Sequence, residues 1–322
     1  MRPRVVGFTT LKNAVSQGYP FLEAIYSFLH IGDKLYILDG NSTDGTEEIL
    51  ERLSENKRIK IFKQEWPSDN GSNKKGRVLG LMHESALNLV KTHEKYDNTY
   101  VFELQANEII HEDCYKEFET YLHNLCRLRG YILPYKIMVG DRIIDFDWRI
   151  RLARLDKNIS VHGDSTSLLI QKDVRLKWFI SSIAALSYNY LRYKTIPMRF
   201  LRGYPNDILP IPLSKAIFRY GRIFPQNINQ KLAGHTKVYS SMSDTFTREA
   251  KFTENILRRS NSTEKFYKLL AEKLSGDLNG NMVVKNPIKL SKSQHPKIMR
   301  DVLGLKNYVP RKSLISTISK AI

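Results

Sequence analysis

Apolar and polar positions alternate in blocks through the first third of the chain, and the blocks predict alternating strands and helices. Arg4–Phe8, Lys34–Leu38, Arg58–Phe62 and Tyr100–Leu104 are short apolar runs of strand length. Between them, Tyr19–Leu29 places Phe21, Leu22, Ile25, Phe28 and Leu29 on one helical face. Asp44–Leu53 and Gly76–Val90 repeat that spacing, and Glu112–Leu125 reads as a further helix. The rhythm predicts an α/β fold with a mainly parallel sheet covered by helices on both faces. Right-handed crossovers then bring the turn after each strand to one edge. After residue 130 the rhythm changes. Tyr131–Val139 and Trp148–Leu155 read as strands of a later, partly antiparallel element. No internal repeat or low-complexity segment is found.

The turn Asp39-Gly40-Asn41-Ser42-Thr43-Asp44-Gly45-Thr46 ends an apolar strand in a carboxylate, the position where open α/β sheets bind ligands. Asp39 is suited to accept hydrogen bonds from a nucleobase or ribose. Gly40 and Asn41 tolerate left-handed backbone, and Asp44 with Glu47 has the spacing of a capping box. An ordinary βα turn uses the same residue types. A second strand runs into Gln105-Ala106-Asn107-Glu108, a polar turn predicted to face the same pocket. An anionic diphosphate there requires a cation, from a metal or from Lys and Arg. The polar loop Gln64–Lys75 is either a functional loop or a surface excursion.

Charge adds a second theme. The 322-residue chain carries a net charge of +18 with pI near 9.7, concentrated in 127–222 and 285–322, which favours anionic partners. Its 42% hydrophobic content fits a globular core. Cys114 and Cys126 lack metal-ligand spacing and read as thiols of a reducing compartment. Neither a secretory signal nor a spanning apolar run of about 18 residues is seen. Lys177–Tyr193, rich in aromatics with basic flanks, reads as either a buried helix or one lying on a membrane. Lys312–Ile322 reads as a basic amphipathic tail. No helix-turn-helix, RRM or zinc motif accompanies the charge, so specific nucleic-acid binding is not expected.

In this order the motifs resemble those of family 2 glycosyltransferases with the GT-A (Rossmann-like) fold, in the soluble prokaryotic and archaeal branch. The resemblance covers roughly 4–170, with a fainter echo near 216–226. Phe8-Thr9-Thr10-Leu11-Lys12-Asn13 resembles the first donor-binding loop, which brings in Thr9 and Asn13. Asp39 through Thr46 resembles Asp-x-x-Ser-x-Asp-x-Thr, whose leading Asp contacts the nucleobase, with Ser42 beside it. Gly76-Arg77-Val78-Leu79 resembles the segment that lends a basic residue to the donor. Gln105-Ala106-Asn107-Glu108 stands where the family carries its Asp-x-Asp motif.

What the resemblance implies is transfer of a sugar from a nucleoside diphosphate donor, with inversion, to a lipid-linked or surface-glycan acceptor. Donor contacts are expected from Thr9, Asn13, Asp39, Ser42, Arg77, Gln105, Asn107 and Arg219. For the carboxylate base the choices are Asp141, Asp145, Asp147 and Asp164, with Asp164 preferred and Asp147 second. The basic strand Arg149-Ile150-Arg151 turns Arg151 either toward the phosphates or onto a solvated face. Two departures weaken the metal, Mn²⁺ or Mg²⁺. Asn107 replaces the ligating Asp, with Glu108 as a substitute ligand, and Arg219 in Phe218-Arg219-Tyr220-Gly221-Arg222 replaces a late His. Arg219, with Arg222, would then neutralise the leaving diphosphate. The rival is a catalytically inactive sugar-nucleotide-binding or scaffold protein. The expected organisation is a catalytic domain over 1–172 and a basic helical extension over 173–322 packed on it, in the cytoplasm with peripheral membrane contact.

Overall fold

The computed structural model describes residues 2–67, 77–124, 129–162, 167–169, 208–210, 215, 217–238, 243–277 and 286–320. In chain order the first elements are β1 (Arg4–Leu11), α1 (Phe21–Leu29), β2 (Lys34–Asp39), α2 (Thr46–Leu53) and β3 (Ile59–Lys63). They are followed by α3 (Arg77–His93), β4 (Thr99–Glu103), β5 (Glu108–Ile109) and α4 (Tyr115–Asn124), which a short 3₁₀ turn at Glu112–Cys114 introduces. Next come β6 (Gly130–Val139), β7 (Arg142–Arg154), β8 (Ser160–His162), β9 (Ser167–Leu169), β10 (Ile208–Pro210) and β11 (Ile217–Arg222). The last are α5 (Ile228–Val238), α6 (Ser243–Arg259), α7 (Thr263–Asp277), β12 (Ile288–Lys289) and α8 (Lys312–Ser319).

One sheet organises them, in the order β3-β2-β1-β4-β7-β6-β11-β5, with β10 beside β6 and β12 beside β7. The first four strands, β3-β2-β1-β4, are parallel, as the βαβ rhythm predicts. Beyond β4 the sheet is mixed: β7 is antiparallel to β4 and β6, β11 is parallel to β6, and β5 is antiparallel to β11. Strands from the segment after residue 172 thus join this sheet alongside α5–α8.

The central strands are buried on both faces, which explains their continuous apolar runs. On one face α1 and α4 cover Val5, Phe102 and Tyr131; on the other, Met82, Ala86 and Val90 of α3 cover Val6, Phe8 and Val101. At Gly7 a Cβ would lie 2.5 Å from the Phe28 ring, so glycine is what lets α1 sit this close to β1. Cys114 is buried, its thiol donating to the Lys215 carbonyl at 3.2 Å; Cys126 lies outside the described residues.

One local expectation is corrected. The capping box does not form. Gly45, in left-handed backbone at φ 89°, precedes the first helical residue Thr46, and no side chain caps α2. Asp44 instead accepts from Thr46 N at 3.1 Å, Thr46 Oγ1 at 2.6 Å and Ser16 N at 2.6 Å. The amphipathic tail forms a helix and lays its apolar face on the rest of the protein. Leu314, Ile315 and Ile318 of α8 are buried in the core cluster that contains α1 and α2. Asn56 Nδ2 donates to the Ile318 carbonyl at 2.7 Å, and Ser319 Oγ to the Arg52 carbonyl at 2.8 Å. Just before α8, Tyr308 and Arg311 donate to the buried Glu23 of α1 at 3.0 and 3.3 Å.

Truncation after Arg311 is therefore expected to cost several kcal/mol, since each large apolar side chain lost from the core contributes about 1.5–3 kcal/mol. Urea unfolding would show a lowered midpoint; an unchanged midpoint would mean that α8 contributes nothing to the core. The aromatic segment Lys177–Tyr193 lies outside the described residues. Among the described residues no helix is long and apolar enough to cross a membrane.

Candidate functional site

The carboxyl ends of β1 and β2 lie side by side, Leu11 opposite Asp39, and Gly40 N donates to the Leu11 carbonyl at 2.7 Å. Asp39 is fully buried. Its carboxylate fixes the turn that follows, accepting from Ser42 Oγ at 2.6 Å and Ser42 N at 3.0 Å. Ser42 Oγ in turn accepts from Asn13 N at 2.8 Å, and Asn13 Oδ1 accepts from Thr43 N at 2.8 Å. Asn13 and Asn41 adopt positive φ, 51° and 57°, where Asn is better tolerated than most residues. Gly40 does not. Its role is room: a Cβ would stand 2.3 Å from Trp66 Nε1. The Asp39 signature is thus first a clamp between two loops, leaving part of a carboxylate's acceptor capacity unused. Close by on β1, the Thr9 hydroxyl is buried with no hydrogen-bond partner among the described residues.

The turn between β4 and β5 lies along the same edge, with Leu104 N donating to the Phe8 carbonyl at 3.0 Å. Gln105 and Asn107 are buried here, and Asn107 O accepts from Tyr220 N at 2.8 Å. Glu108 is held within the protein. Its Oε1 accepts from Arg151 Nη2 at 2.7 Å, and its Oε2 accepts from the Tyr135 hydroxyl and Gln105 N, both at 3.3 Å. Arg151 also donates through Nη1 to Glu103 at 2.6 Å, while His83 Nδ1 lies 3.3 Å from the second Glu103 oxygen. Arg151, Glu103 and Glu108 have no exposed surface. Both expectations for Arg151, phosphates or a solvated face, are therefore corrected: two internal carboxylates hold it. Among the described residues no group of three His, Cys, Asp or Glu side chains is arranged to hold a metal ion.

Arg149 stands two residues from Arg151 along β7, so both project from the same face. Its Nε donates to Asp147 at 2.7 Å, and its Nη1 is buried with no hydrogen-bond partner among the described residues. Asp147 also accepts from Trp148 N at 2.8 Å. Arg219 lies across the β11/β5 ladder from Glu108. It has no ion-pair partner among the described residues, and its pKa is drawn down to about 10 by desolvation and by Arg149, against the opposing pull of Glu108. Arg222 is held by both oxygens of Glu249 from α6, one of them at 2.9 Å. Gly221, between these two arginines, lies against Asn107: a Cβ would be 4.0 Å from Asn107 Nδ2.

From α5, Lys231 inserts its Nζ 2.6 Å from the Gly221 carbonyl and 4.0 Å above the Tyr19 ring. The Tyr19 hydroxyl meets His235 Nε2 at 3.1 Å. Arg77 is exposed at the start of α3, and Asp164 lies outside the described residues. Sequence reasoning missed Tyr19 and Lys231 and chose Arg151 over Arg149. The only advance signal was the two-residue spacing of the arginines. A separate cleft of about 640 Å³, bordered by Tyr96, Arg129, Arg154 and Lys157, lies at the amino end of β4, away from this site.

Burial holds His235 at a pKa of about 3 and His295 at about 4, against 6.5 for an ordinary histidine. Between those values the unfolded chain binds more protons than the folded one, so folding stability falls as pH drops. The urea midpoint is expected to fall between pH 6.5 and pH 4, and His295→Gln to flatten that fall. An equally steep fall in the variant would assign the acid lability to other groups.

No protein-family model matches the chain, and no curated protein matches it. Solved structures do. One is TarS 1–349 of S. aureus, at 13% identity over 71% of this chain and 63% of that one, with a TM-score of 0.32. The chain is similar to GT-A glycosyltransferases. The same TarS fragment in complex with UDP-GlcNAc matches at 12% identity over 78% and 72% of the two chains, TM-score 0.34. The mannosyltransferase PcManGT from Pyrobaculum calidifontis, in complex with GDP-Man and Mn²⁺, matches at 11% identity over 87% and 77%, TM-score 0.35. The match spans less than two thirds of the first TarS structure.

Proposed function

We propose that the chain is a glycosyltransferase that moves a sugar from a nucleoside diphosphate donor to a lipid-linked or surface-glycan acceptor. The observation that carries the reading is the grouping of Arg149, Arg219, Arg222 and Lys231 about β11, whose Tyr220 N is bonded to Asn107 O in the turn at the carboxyl end of β4. Such a cluster suits an anionic diphosphate, and the adjoining turn suits the nucleoside. In this reading Thr9, Asn13, Asp39 and Ser42 hold the nucleoside end, with Arg77 closing over it. Gln105, Asn107 and Arg219 face the diphosphate.

The chemistry is displacement at the anomeric carbon. It needs a base for the acceptor hydroxyl and stabilisation of the departing diphosphate. Asp147 is committed to Arg149 and Trp148 N, so its role is to position Arg149; Asp164 is the proposed base. A divalent cation is dispensable in this reading, because Glu108 is neutralised by Arg151 and Asn107 brings no charge. A cytoplasmic enzyme touching a membrane face fits the basic composition of the second half.

Donor hydrolysis with and without EDTA tests the reading. Turnover of at least one nucleotide sugar, insensitive to EDTA, is expected. Binding of donors with no turnover of any would favour the rival, a sugar-nucleotide-binding scaffold, toward which the loss of acidic residues at Asn107 points. Flotation with anionic liposomes at low and high salt tests the membrane part, which fails if neither condition gives binding.

A further inference from the structure

The charges of the basic site do not balance. Asp147 pairs with Arg149, Glu249 pairs with Arg222, and Glu103 and Glu108 both pair with Arg151, so four carboxylates face five cations. Arg219 and Lys231 are left without a carboxylate partner among the described residues, and they differ in setting. Arg219 is half-buried. Lys231 is buried at 5% exposure; among the described residues its Nζ meets the Gly221 carbonyl and the Tyr19 ring face, contacts that suit a cation but supply no counter-charge. The groups that act on it come from every side: Tyr19 from the loop after β1, Arg219 and Arg222 from β11, Glu249 from α6, and His235 one turn along α5.

We propose that Lys231 is neutral while the site is empty and takes up a proton when a diphosphate settles beside Arg219. The inference rests on the proposed donor binding and specifies how the site meets the donor's two negative charges without a metal. Three physical effects combine. A buried ammonium loses its hydration, which favours the neutral amine. The Arg222 and Arg219 guanidinium groups repel a third cation, and both effects hold Lys231 well below an ordinary lysine. A bound dianion reverses the local potential, most strongly where water is excluded. The amine lone pair then takes a proton from solvent. Glu249 pulls the other way, favouring the charged amine, but both its oxygens are held by Arg222.

Neighbouring groups sharpen the assignment. His235 is also buried and surrounded by Lys231, Arg222 and Arg219, yet it remains neutral down to a pKa of about 3 and stays a partner of the Tyr19 hydroxyl. Tyr19, its pKa raised to about 12, is protonated throughout and has no proton to gain. Lys231 is therefore the group whose charge the ligand changes.

Calorimetric titration of the full chain with UDP-N-acetylglucosamine and with GDP-mannose tests this. It is done in EDTA at pH 8, in buffers of different ionisation enthalpy. Both diphosphates are fully ionised at that pH, so any proton taken up goes to the protein. Uptake of about one proton per ligand bound is expected. Lys231→Arg, cationic in both states, is expected to bind with no uptake, and Lys231→Met to bind at least about tenfold more weakly with none. His235→Gln keeps the uptake. Binding with no proton uptake by the unaltered chain, or uptake that persists in Lys231→Arg, overturns the inference while leaving donor binding intact. No binding of either nucleotide sugar, nor of dTDP- or CDP-sugars, overturns the inference together with the reading beneath it.

Discussion

Replacing Arg151 by alanine is expected to destabilise the fold by about 3–5 kcal/mol, the cost of removing one partner from a buried ion pair. The guanidinium bridges Glu103 at 2.6 Å and Glu108 at 2.7 Å with no exposed surface on any of the three. Without it two carboxylates remain in the interior, one beside His83 and one beside Tyr135. They must then either stay charged without solvation or take up protons. Urea unfolding at neutral pH measures the loss. Adding Glu108→Gln to Arg151→Ala is expected to recover part of it, because one stranded charge is gone. If Arg151→Ala changes stability by less than about 1 kcal/mol, the triad does not bear on folding as argued. The effect reaches the site as well: Glu108 accepts from Gln105 N, so the turn that carries Asn107 is held by the same carboxylate.

Arg219→Ala is expected to do the opposite, leaving stability nearly unchanged and lowering donor turnover by about 10²–10³-fold, the usual effect of losing a group that stabilises charge in the transition state. Arg219 has no ion-pair partner among the described residues, so its removal strands no carboxylate. A lysine at this position supplies charge without the guanidinium fork and should restore activity only in part. Single-turnover rates on a hydrolysable donor, together with a melting curve, separate the two contributions. Turnover retained within about threefold would remove Arg219 from the diphosphate site.

Much of the fold was legible in the chain because burial and periodicity agree there. The apolar runs of β1, β2 and β4 are buried on both faces, and α1 and α3 keep their apolar stripes at helical spacing. The site was legible only at its loops. Asp39 and Ser42 are local in sequence, so their turn was readable, though not that Asn13 closes it from the loop after the neighbouring strand. Arg149 and Arg151 look equivalent along β7. What separates them is the pair of carboxylates, Glu103 and Glu108, that tertiary packing places opposite Arg151 alone. Lys231 comes from a helix about a hundred residues past the Asn107 turn, and no linear pattern links it to Tyr19. The amphipathic pattern of the α8 tail is legible in the sequence. Its partner surface, on α1 and α2, lies at the other end of the chain.

The central claim is that this edge of the sheet binds a nucleotide sugar and that arginine and lysine do the work of a cation. Thermal melting with UDP-, GDP-, dTDP- and CDP-sugars, each in EDTA and again in Mn²⁺, tests it most directly, since a ligand that binds only the folded state raises the melting temperature. The expected result is stabilisation by at least one nucleotide sugar, equal in EDTA and Mn²⁺ and lost in Arg219→Ala. Stabilisation by none of them, or only when Mn²⁺ is present, would contradict the claim.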